Sequence, residues 1–403
     1  MKITKIETCI PADISPGLMY CRIHTDEGIT GYGESFQIPE AIAAVIHHFM
    51  APRLLGNDAL NIEGHWRFLY ERMTNFGSRG AEIRGLSAID LALWDIKGKA
   101  TGMPVWQLLG GKVQDRVRVY NSSGGPGYGG KIPKNTGFWP GYGKVGEKGP
   151  LNDYWSAVHE PEAYAKNLLS EGIKATKLWT LDFAAHKAGG PLYVDFADIK
   201  EGLKPFFKIR EAVGDQLELI LDGHGFFQLP MALRIADAMK EIKPLWLEDV
   251  IRPDCVDTIR DFRDQCGLPI AVSEMLNSAE DYRLVLAKKA ADYIMIDPTW
   301  MGGISQTMKV TDFAQSHNVP VVMHDCTGPL TLMAGVHVGI ARGNVAWQET
   351  LRAHMRLRYP EMVANMVEVK DGYIDAPTAP GLGIDLHDDK LFIDDFKLQV
   401  SAL

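Results

Sequence analysis

Three acidic residues, each closing a short apolar run, are the first residues in the chain that could do chemistry together. The runs are Leu217–Asp222 (LELILD), Pro244–Glu248 (PLWLE) and Leu268–Glu274 (LPIAVSE), so the three acids are 26 residues apart. Carboxylates at the ends of neighbouring parallel strands converge, and three oxygen ligands with open positions suit Mg²⁺. The alternative is that each acid only caps the helix that follows it.

The same pattern continues downstream with three more polar residues. Ala291–Asp297, Val319–His324 and Asn344–Glu349 again end in a polar side chain, after steps of 23, 27 and 25 residues. A carboxylate beside an imidazole can hold one tautomer and raise its basicity. Asp297 and His324 are therefore candidates for an oriented general base. The alternative for His324 is a structural histidine with satisfied hydrogen bonds.

Repeats of this length fit one strand, one helix and two loops, and they predict an α/β fold. Polar residues at strand ends are what an active site on the C-terminal face of a parallel barrel requires. Residues 1 to about 110 differ, because alternating strand patterns precede a helix of strong 3.6-residue periodicity at Glu82–Ala100. We expect three parts: an α+β domain (1–115), a barrel (116–350) and a C-terminal segment (351–403) that returns to the first domain.

Two insertions follow the first two predicted barrel strands, Val117–Asn121 and Ala175–Trp179. Ser122–Trp155 is rich in glycine, proline and aromatic residues, and Asp182–Asp195 extends the second loop. Loops after barrel strands lie over the active face, so a lid or binding loop is expected for the first. The alternative is a floppy insertion.

The composition limits the location and the partners. A net charge of -9 over 403 residues gives no reason to expect nucleic acid or an anionic membrane as partner. The five cysteines form no CxxC pair, which favours free thiols in a reducing cytoplasm. The N-terminus has no signal-peptide pattern, and no run approaches the ~18 apolar residues of a membrane span.

The whole chain resembles the enolase superfamily, in its mandelate racemase-like group. The resemblance rests on the strand-end residues and on the helix motif Ser87–Lys99 (SAIDLALWDIKGK). It implies a (β/α)7β modified TIM barrel with an α+β N-terminal capping domain that the C-terminal segment completes. It also implies removal of a proton α to a carboxylate, an enediolate intermediate and a homo-oligomer. The implied roles are one Mg²⁺ per subunit on Asp222, Glu248 and Glu274, a base dyad of Asp297 and His324, and a substrate-carboxylate contact at Glu349.

The second barrel strand narrows the reaction. Racemases of this group carry Lys-x-Lys there, and the second lysine is the base on the opposite face. This chain has Lys177-Leu178-Trp179. Tryptophan cannot take a proton, so racemisation is disfavoured, and Trp179 is instead a candidate wall of the substrate site. We expect Lys177 to neutralise substrate charge, the alternative being a lysine that only reaches past the strand end to water.

His224 favours elimination of water. Asp222-Gly-His224-Gly is similar to the Asp-x-His-Gly of D-galactonate dehydratase-type acid-sugar dehydratases, where the histidine protonates the departing 3-hydroxyl. The alternative is a histidine that only hydrogen-bonds its own loop. Two departures, Asp249-Val250 for the usual Glu-Pro and Met275 after Glu274, lie beside the predicted metal ligands. The insertions Ser122–Trp155 and Asp182–Asp195 are also longer than in D-galactonate dehydratase and would shape the pocket, so the particular substrate is not carried over.

These residues predict a cytoplasmic hydro-lyase that acts on a small-molecule sugar acid. The expected reaction is Mg²⁺-dependent dehydration of an aldonate or aldarate to a 2-keto-3-deoxy acid. The same enediolate would also serve an epimerase or a sugar-lactone cycloisomerase. A ligand-binding homologue that has lost catalysis is a further alternative. A metal-dependent hydrolase is disfavoured, because the first strand lacks His-x-His.

Overall fold

The computed structural model describes residues 1–77, 79–128, 146–188 and 192–403. Residues 129–145, which form half of the predicted lid Ser122–Trp155, lie outside the described part. Within the described ranges, no helix is long and apolar enough to cross a membrane.

The N-terminal domain packs helices on one face of an antiparallel sheet. The sheet contains β1 (Ile3–Cys9), β2 (Leu18–Thr25) and β3 (Thr30–Phe36). The long helix approaches β3 very closely, because a Cβ at Gly33 would lie 1.9 Å from the carbonyl oxygen of Ala88. The helices are α1 (Pro39–Val45), α2 (Ala51–Leu54), α3 (Ile62–Arg72), α4 (Ala81–Thr101) and α5 (Val105–Leu108), with a π-helical turn at Ile46–Met50.

Eight parallel strands form a closed barrel, since the last of them pairs with the first. Apolar runs form these strands because both faces are buried, with helices outside and packed side chains inside. Each strand contributes one residue to an interior layer, which consists of Tyr120, Ala175, Ile220, Trp246, Ala271, Met295, Val322 and Trp347. The strands are β4 (Arg116–Ser122), β5 (Ala175–Leu178), β6 (Glu218–Asp222), β7 (Trp246–Glu248), β8 (Ile270–Val272), β9 (Tyr293–Ile296), β10 (Val321–Met323) and β11 (Val345–Thr350).

Seven of the barrel strands are followed by α-helices, and β11 is followed by a π-helical turn at His354–Arg358 instead. This arrangement confirms the predicted (β/α)7β barrel with its capping domain. The helices are α6 (Asp153–His159), α7 (Pro161–Ser170), α8 (Asp182–Lys187), α9 (Phe196–Val213), α10 (Leu229–Met239), α11 (Val256–Cys266), α12 (Ala279–Ala287), α13 (Gly303–Ser316) and α14 (Pro329–Ala341). A 3₁₀ turn at Gly214–Gln216 follows α9.

The C-terminal segment contacts both parts of the chain. Its strand at Tyr373–Asp375 pairs antiparallel with β4, whereas Gln399–Ala402 joins the capping sheet beside β1. The return to the first domain is therefore made by the last strand, after a short pairing with the barrel. The remaining elements are α15 (Tyr359–Met362), β12 (Val363–Ala364), β13 (Tyr373–Asp375), β14 (Asp385–Leu386), α16 (Asp388–Leu391), a 3₁₀ turn (Asp394–Phe396) and β15 (Gln399–Ala402).

Two carboxylates of the capping domain meet the N-termini of barrel helices. Asp90 on α4 accepts hydrogen bonds from the backbone N–H (3.0 Å) and hydroxyl (2.5 Å) of Ser305 in the first turn of α13. Glu34 on β3 accepts one from the backbone N–H of Thr331 in α14, at 2.5 Å. The first N–H groups of a helix lack intrahelical partners and favour negative charge. The cap is thus joined to the two helices that follow β9 and β10.

Candidate active site

The predicted site residues gather at the C-terminal end of the barrel. Asp222 and Glu248 are the last residues of β6 and β7, and Glu349 is the last but one of β11. Asp297 and His324 follow β9 and β10 by one residue, and Glu274 follows β8 by two. One cavity among them is lined by Phe36, Gln37, Ser122, Tyr128, Lys177, Trp179, Asp222, His224, Glu274, Trp300, His324, Cys326 and Glu349.

Lys177 lies among the acidic residues. Its ammonium forms an ion pair with Glu248 and lies 2.9 Å from Oε1 of Glu349 and 3.2 Å from Oδ2 of Asp222. Burial alone would lower the pKa of Lys177, but the carboxylates of Glu248 and Glu349 outweigh that effect and raise it well above its ordinary value. Lys177 therefore carries a buried positive charge. In this arrangement it offsets the charge of two of the three predicted metal ligands.

The carboxylates outnumber the cation that they surround. Oε2 of Glu274 and Oδ1 of Asp249 are buried without a hydrogen-bond partner in the described part of the chain. Burial, together with repulsion from Glu274, raises the pKa of Asp249 well above its ordinary value. A surplus of buried carboxyl oxygens over cations fits a hard divalent cation such as Mg²⁺, whose binding would release the protons that the raised pKa values retain.

The carboxylates are not pre-arranged around a metal position. Within the described ranges, no three His, Cys, Asp or Glu side chains already form a metal-ligand set. The ammonium of Lys177 lies between Asp222 and Glu248, in contact with both. A cation bound on these oxygens would therefore compete with the ammonium of Lys177 for Asp222 and Glu248.

Asp297 and His324 form the expected pair. Nδ1 of His324 donates to Oδ2 of Asp297 at 2.8 Å, so Nε2 is the nitrogen left for other work. Asp297 is itself fixed, because Oδ1 accepts from the backbone (2.8 Å) and hydroxyl (2.7 Å) of Thr299, and Oδ2 accepts from the Thr327 hydroxyl (2.9 Å). Burial alone would lower the pKa of His324. Cys326, Glu349 and the bond to Asp297 outweigh it and raise that pKa well above its ordinary value.

A second histidine–carboxylate pair joins the loop after β6 to the insertion after β5. Nδ1 of His224 lies 3.0 Å from Oδ2 of Asp182, the first residue of α8. Burial alone would lower the pKa of His224, but the carboxylates of Asp222 and Asp182 raise it to about 9. His224 is therefore protonated at neutral pH. The sequence offered little to identify Asp182, because it lies in a segment that was predicted to be only an insertion.

Trp179 forms an aromatic wall of the cavity. Its ring stacks on Tyr154 at 5.4 Å between centroids, with Tyr128 at 5.2 Å and the edge of His224 at 5.9 Å. The side chain is buried, yet the indole N–H has no hydrogen-bond partner among the described residues. A buried donor without a partner is costly, so this N–H is available to an oxygen of a bound molecule.

The chain matches two family models along most of its length. The model described as Enolase C-terminal domain-like matches residues 161–390. The model of the Mandelate racemase / muconate lactonizing enzyme N-terminal domain matches residues 11–110. The first range contains every predicted site residue, and the second contains the helix motif Ser87–Lys99.

Relatives that match nearly the whole chain include dehydratases, which are hydro-lyases, in agreement with the predicted enzyme class. A D-galactonate dehydratase from Pectobacterium atrosepticum is 29% identical, with 96% of this chain and 93% of the relative covered. An arabinonate dehydratase from Saccharolobus solfataricus is 28% identical, with 91% and 87% covered.

Solved structures extend the comparison to the fold. An enolase of the mandelate racemase subgroup from Agrobacterium tumefaciens is 36% identical, with a TM-score of 0.85 and 100% of this chain and 98% of that one covered. An enolase from environmental sequencing of the Sargasso Sea is 31% identical, with a TM-score of 0.86 and 100% and 99% covered. The chain belongs to the enolase superfamily, in its mandelate racemase-like group.

Proposed function

We propose that the protein is a Mg²⁺-dependent dehydratase of a sugar acid, an aldonate or an aldarate. One observation carries the proposal: two imidazoles line the same cavity, and each is bonded through Nδ1 to its own buried carboxylate. Elimination of water needs one group that takes a proton and another that gives one. The names of the relatives, D-galactonate and arabinonate dehydratase, support sugar acids as the substrate class.

Charge in the site supports the binding of a carboxylate substrate. One Mg²⁺ per subunit would be held by Asp222, Glu248 and Glu274. Its positive charge would attract the substrate carboxylate and stabilise the negative charge that develops on that group during the reaction. Lys177 contacts Asp222, Glu248 and Glu349, so its ammonium is close to the same position. Glu349 and Lys177 would then contact the substrate carboxylate, with the indole N–H of Trp179 donating to a further substrate oxygen.

His324 removes the proton from C2 of the substrate. Because Nδ1 is bonded to Asp297, Nε2, which lies 3.8 Å from Oε2 of Glu349, is the nitrogen that takes the proton, and the electron pair of the broken C–H bond passes into an enediolate. The imidazole has to be neutral to accept this proton. Because its pKa is raised in the free protein, His324 must first give up a proton as the cation and the substrate bind.

His224 gives a proton from Nε2 to the departing 3-hydroxyl, which leaves as water. The enediolate collapses to an enol with a C2–C3 double bond, and the enol tautomerises to a 2-keto-3-deoxy acid. In the metal-free protein Asp222 and Asp182 raise the pKa of His224 to about 9, and the contact with Asp182, which is outside the proposed metal-ligand set, would continue to favour the protonated ring. Trp179 stands where a two-base racemase would need a second base, which again favours elimination. A homo-oligomer and a cytoplasmic location remain predictions.

The proposal is tested with a panel of aldonates and aldarates in D₂O, with and without Mg²⁺. We expect a 2-keto-3-deoxy product by NMR with at least one acid. His324→Asn should lower C2 proton exchange about 10²- to 10⁴-fold, the usual contribution of a general base. His317→Asn is the matched control, because His317 is exposed at the end of α13.

The other outcomes identify the alternatives. A C2-inverted product without loss of water would indicate an epimerase, and a rearranged lactone would indicate a cycloisomerase. Exchange at the wild-type rate in His324→Asn would disprove the base assignment. Binding without any reaction across the panel would favour a ligand-binding homologue.

A further inference from the structure

We propose that Asp182 is a positioning residue for His224, and that it holds the imidazole ring with Nε2 turned towards the reacting part of the cavity. The inference rests on the proposed function, in which His224 donates the proton to the leaving hydroxyl. It assigns a role to the insertion after β5, which contributes this carboxylate through α8.

The contacts around His224 fix the ring from three sides. Nδ1 lies 3.0 Å from Oδ2 of Asp182, and Nε2 lies 3.4 Å from Oδ2 of Asp222. The ring of Trp179 meets it edge-on at 5.9 Å between centroids. The backbone N–H of His224 donates to Oδ1 of Asp222 at 2.9 Å, so the main chain is held as well.

Asp182 is fully buried, so its carboxylate is not solvated by water. Its Oδ2 faces His224, while its Oδ1 has no hydrogen-bond partner in the described part of the chain. A buried carboxylate with so few partners is costly to the fold. Its bond to His224 therefore compensates part of the cost of burying the carboxylate. A buried carboxylate with one such partner is typical of a functional residue.

A fixed ring matters for the transfer itself. A carboxylate accepts only, so the bond to Asp182 keeps a proton on Nδ1 and leaves Nε2 as the nitrogen that exchanges one. After Nε2 has given its proton to the hydroxyl, the neutral ring retains the Nδ1 proton and its orientation. Without Asp182 either nitrogen could carry the remaining proton, and the ring could turn about its Cβ–Cγ bond.

The pair repeats the arrangement at His324, where Asp297 bonds Nδ1. The two orienting carboxylates differ in their support. Asp297 follows a barrel strand, whereas Asp182 begins α8, which is attached to α9 by the ion pair of Lys187 with Asp198 at 2.8 Å. Removing this ion pair would weaken the attachment of α8 to α9 but keep the bond between Asp182 and His224, so it serves as a control.

The test separates the two proton transfers. In Asp182→Ala, dehydration should fall about 10²-fold, the cost of a misplaced reacting group. C2 exchange into D₂O should persist or rise, because an enediolate that no longer eliminates returns to the substrate. Asp182→Asn keeps an oxygen that can accept from Nδ1, so it should recover part of the loss. Asp198→Ala, the matched control, should change neither rate.

A second measurement does not depend on activity. Nitrogen-15 NMR of the histidine side chains, recorded at a pH above the raised pKa of His224 so that the ring is neutral, should show the remaining proton fixed on Nδ1 in the wild type and mixed tautomers in Asp182→Ala. Unchanged His224 signals, an equal fall of exchange and dehydration, or an equal loss in Asp198→Ala would overturn the inference. If the wild type dehydrates no sugar acid, the proposed function fails, and the NMR comparison still decides the role of Asp182.

Discussion

Replacing Lys177 by methionine should destabilise the metal-free protein far more than the loss of an ordinary lysine. The ammonium of Lys177 is buried and contacts the carboxylates of Asp222, Glu248 and Glu349. Methionine has a similar length and no charge, so the substitution removes the cation and leaves the carboxylates. They must then be buried without it, or take up protons.

The magnitude follows from the burial. Removing one partner of a buried ion pair costs about 3–5 kcal/mol, because the other charge is left uncompensated. A change of 1 kcal/mol moves the melting temperature of a 150–250-residue domain by about 2–4 °C, so we expect a decrease of roughly 6–20 °C for the barrel. Proton uptake by the carboxylates reduces the cost at low pH. The decrease should therefore grow as the pH rises.

The measurement is thermal unfolding in EDTA and in Mg²⁺, followed by circular dichroism. Mg²⁺ should raise the melting temperature of Lys177→Met more than that of the wild type, because in the variant no ammonium competes for the carboxylates. Lys187→Met is the matched control, since the Lys187 side chain is 64% exposed beside Asp198 and its loss should have little effect.

Two results would refute this reasoning. If Lys177→Met and Lys187→Met have the same melting temperature in EDTA, the burial of the carboxylates does not depend on the ammonium of Lys177. If Mg²⁺ raises both melting temperatures equally, the cation and Lys177 do not share the same oxygens.

Three further predictions concern the cavity and the domain contact. Trp179→Phe keeps the stacking but removes the indole N–H, so KM should rise roughly 2- to 10-fold, the equivalent of about 0.5–1.5 kcal/mol for one hydrogen bond; an unchanged KM would show that the N–H meets no substrate oxygen. The value of kcat/KM should increase with pH, with a midpoint above 6.5, because His324 must lose its proton before it can act as the base. A midpoint below pH 6 would contradict this. Burial raises the pKa of Asp90 to about 7, so the stability it contributes is complete below about pH 3.8 and is lost as the pH rises through about 7. The melting temperature of Asp90→Asn should therefore improve relative to the wild type between pH 5 and pH 9, and a constant difference would contradict the assignment.

The strand ends could be predicted because their signal is local. An apolar run that closes in a polar residue marks the point where a buried strand emerges, and Asp222 and Glu248 are the last residues of their strands. Asp297 and His324 lie one residue beyond the ends of β9 and β10, and they are still at the C-terminal end of the barrel. Regular spacing then places all of these side chains at one end of a closed barrel.

Contacts between distant segments could not be predicted in the same way. Asp182 and His224 are 42 residues apart, and α8 is too short to show a helical period. Asp90 was part of a recognisable motif, but its partner Ser305 is 215 residues away. The sequence contains both residues of each pair without any sign that they meet. Only the packing of the folded chain brings them together.

Because Asp90 and Glu34 join the cap to α13 and α14, the position of the proposed base depends on how the two domains dock. Asp297 and His324 come from the barrel, yet the helices that follow them are held at their first turns by Asp90 and Glu34 of another domain. A barrel separated from its cap would keep every strand-end side chain and lose the hydrogen bonds that hold the first turns of α13 and α14. The proposed activity would then depend on correct domain docking, and a chain whose cap is not docked should lose it.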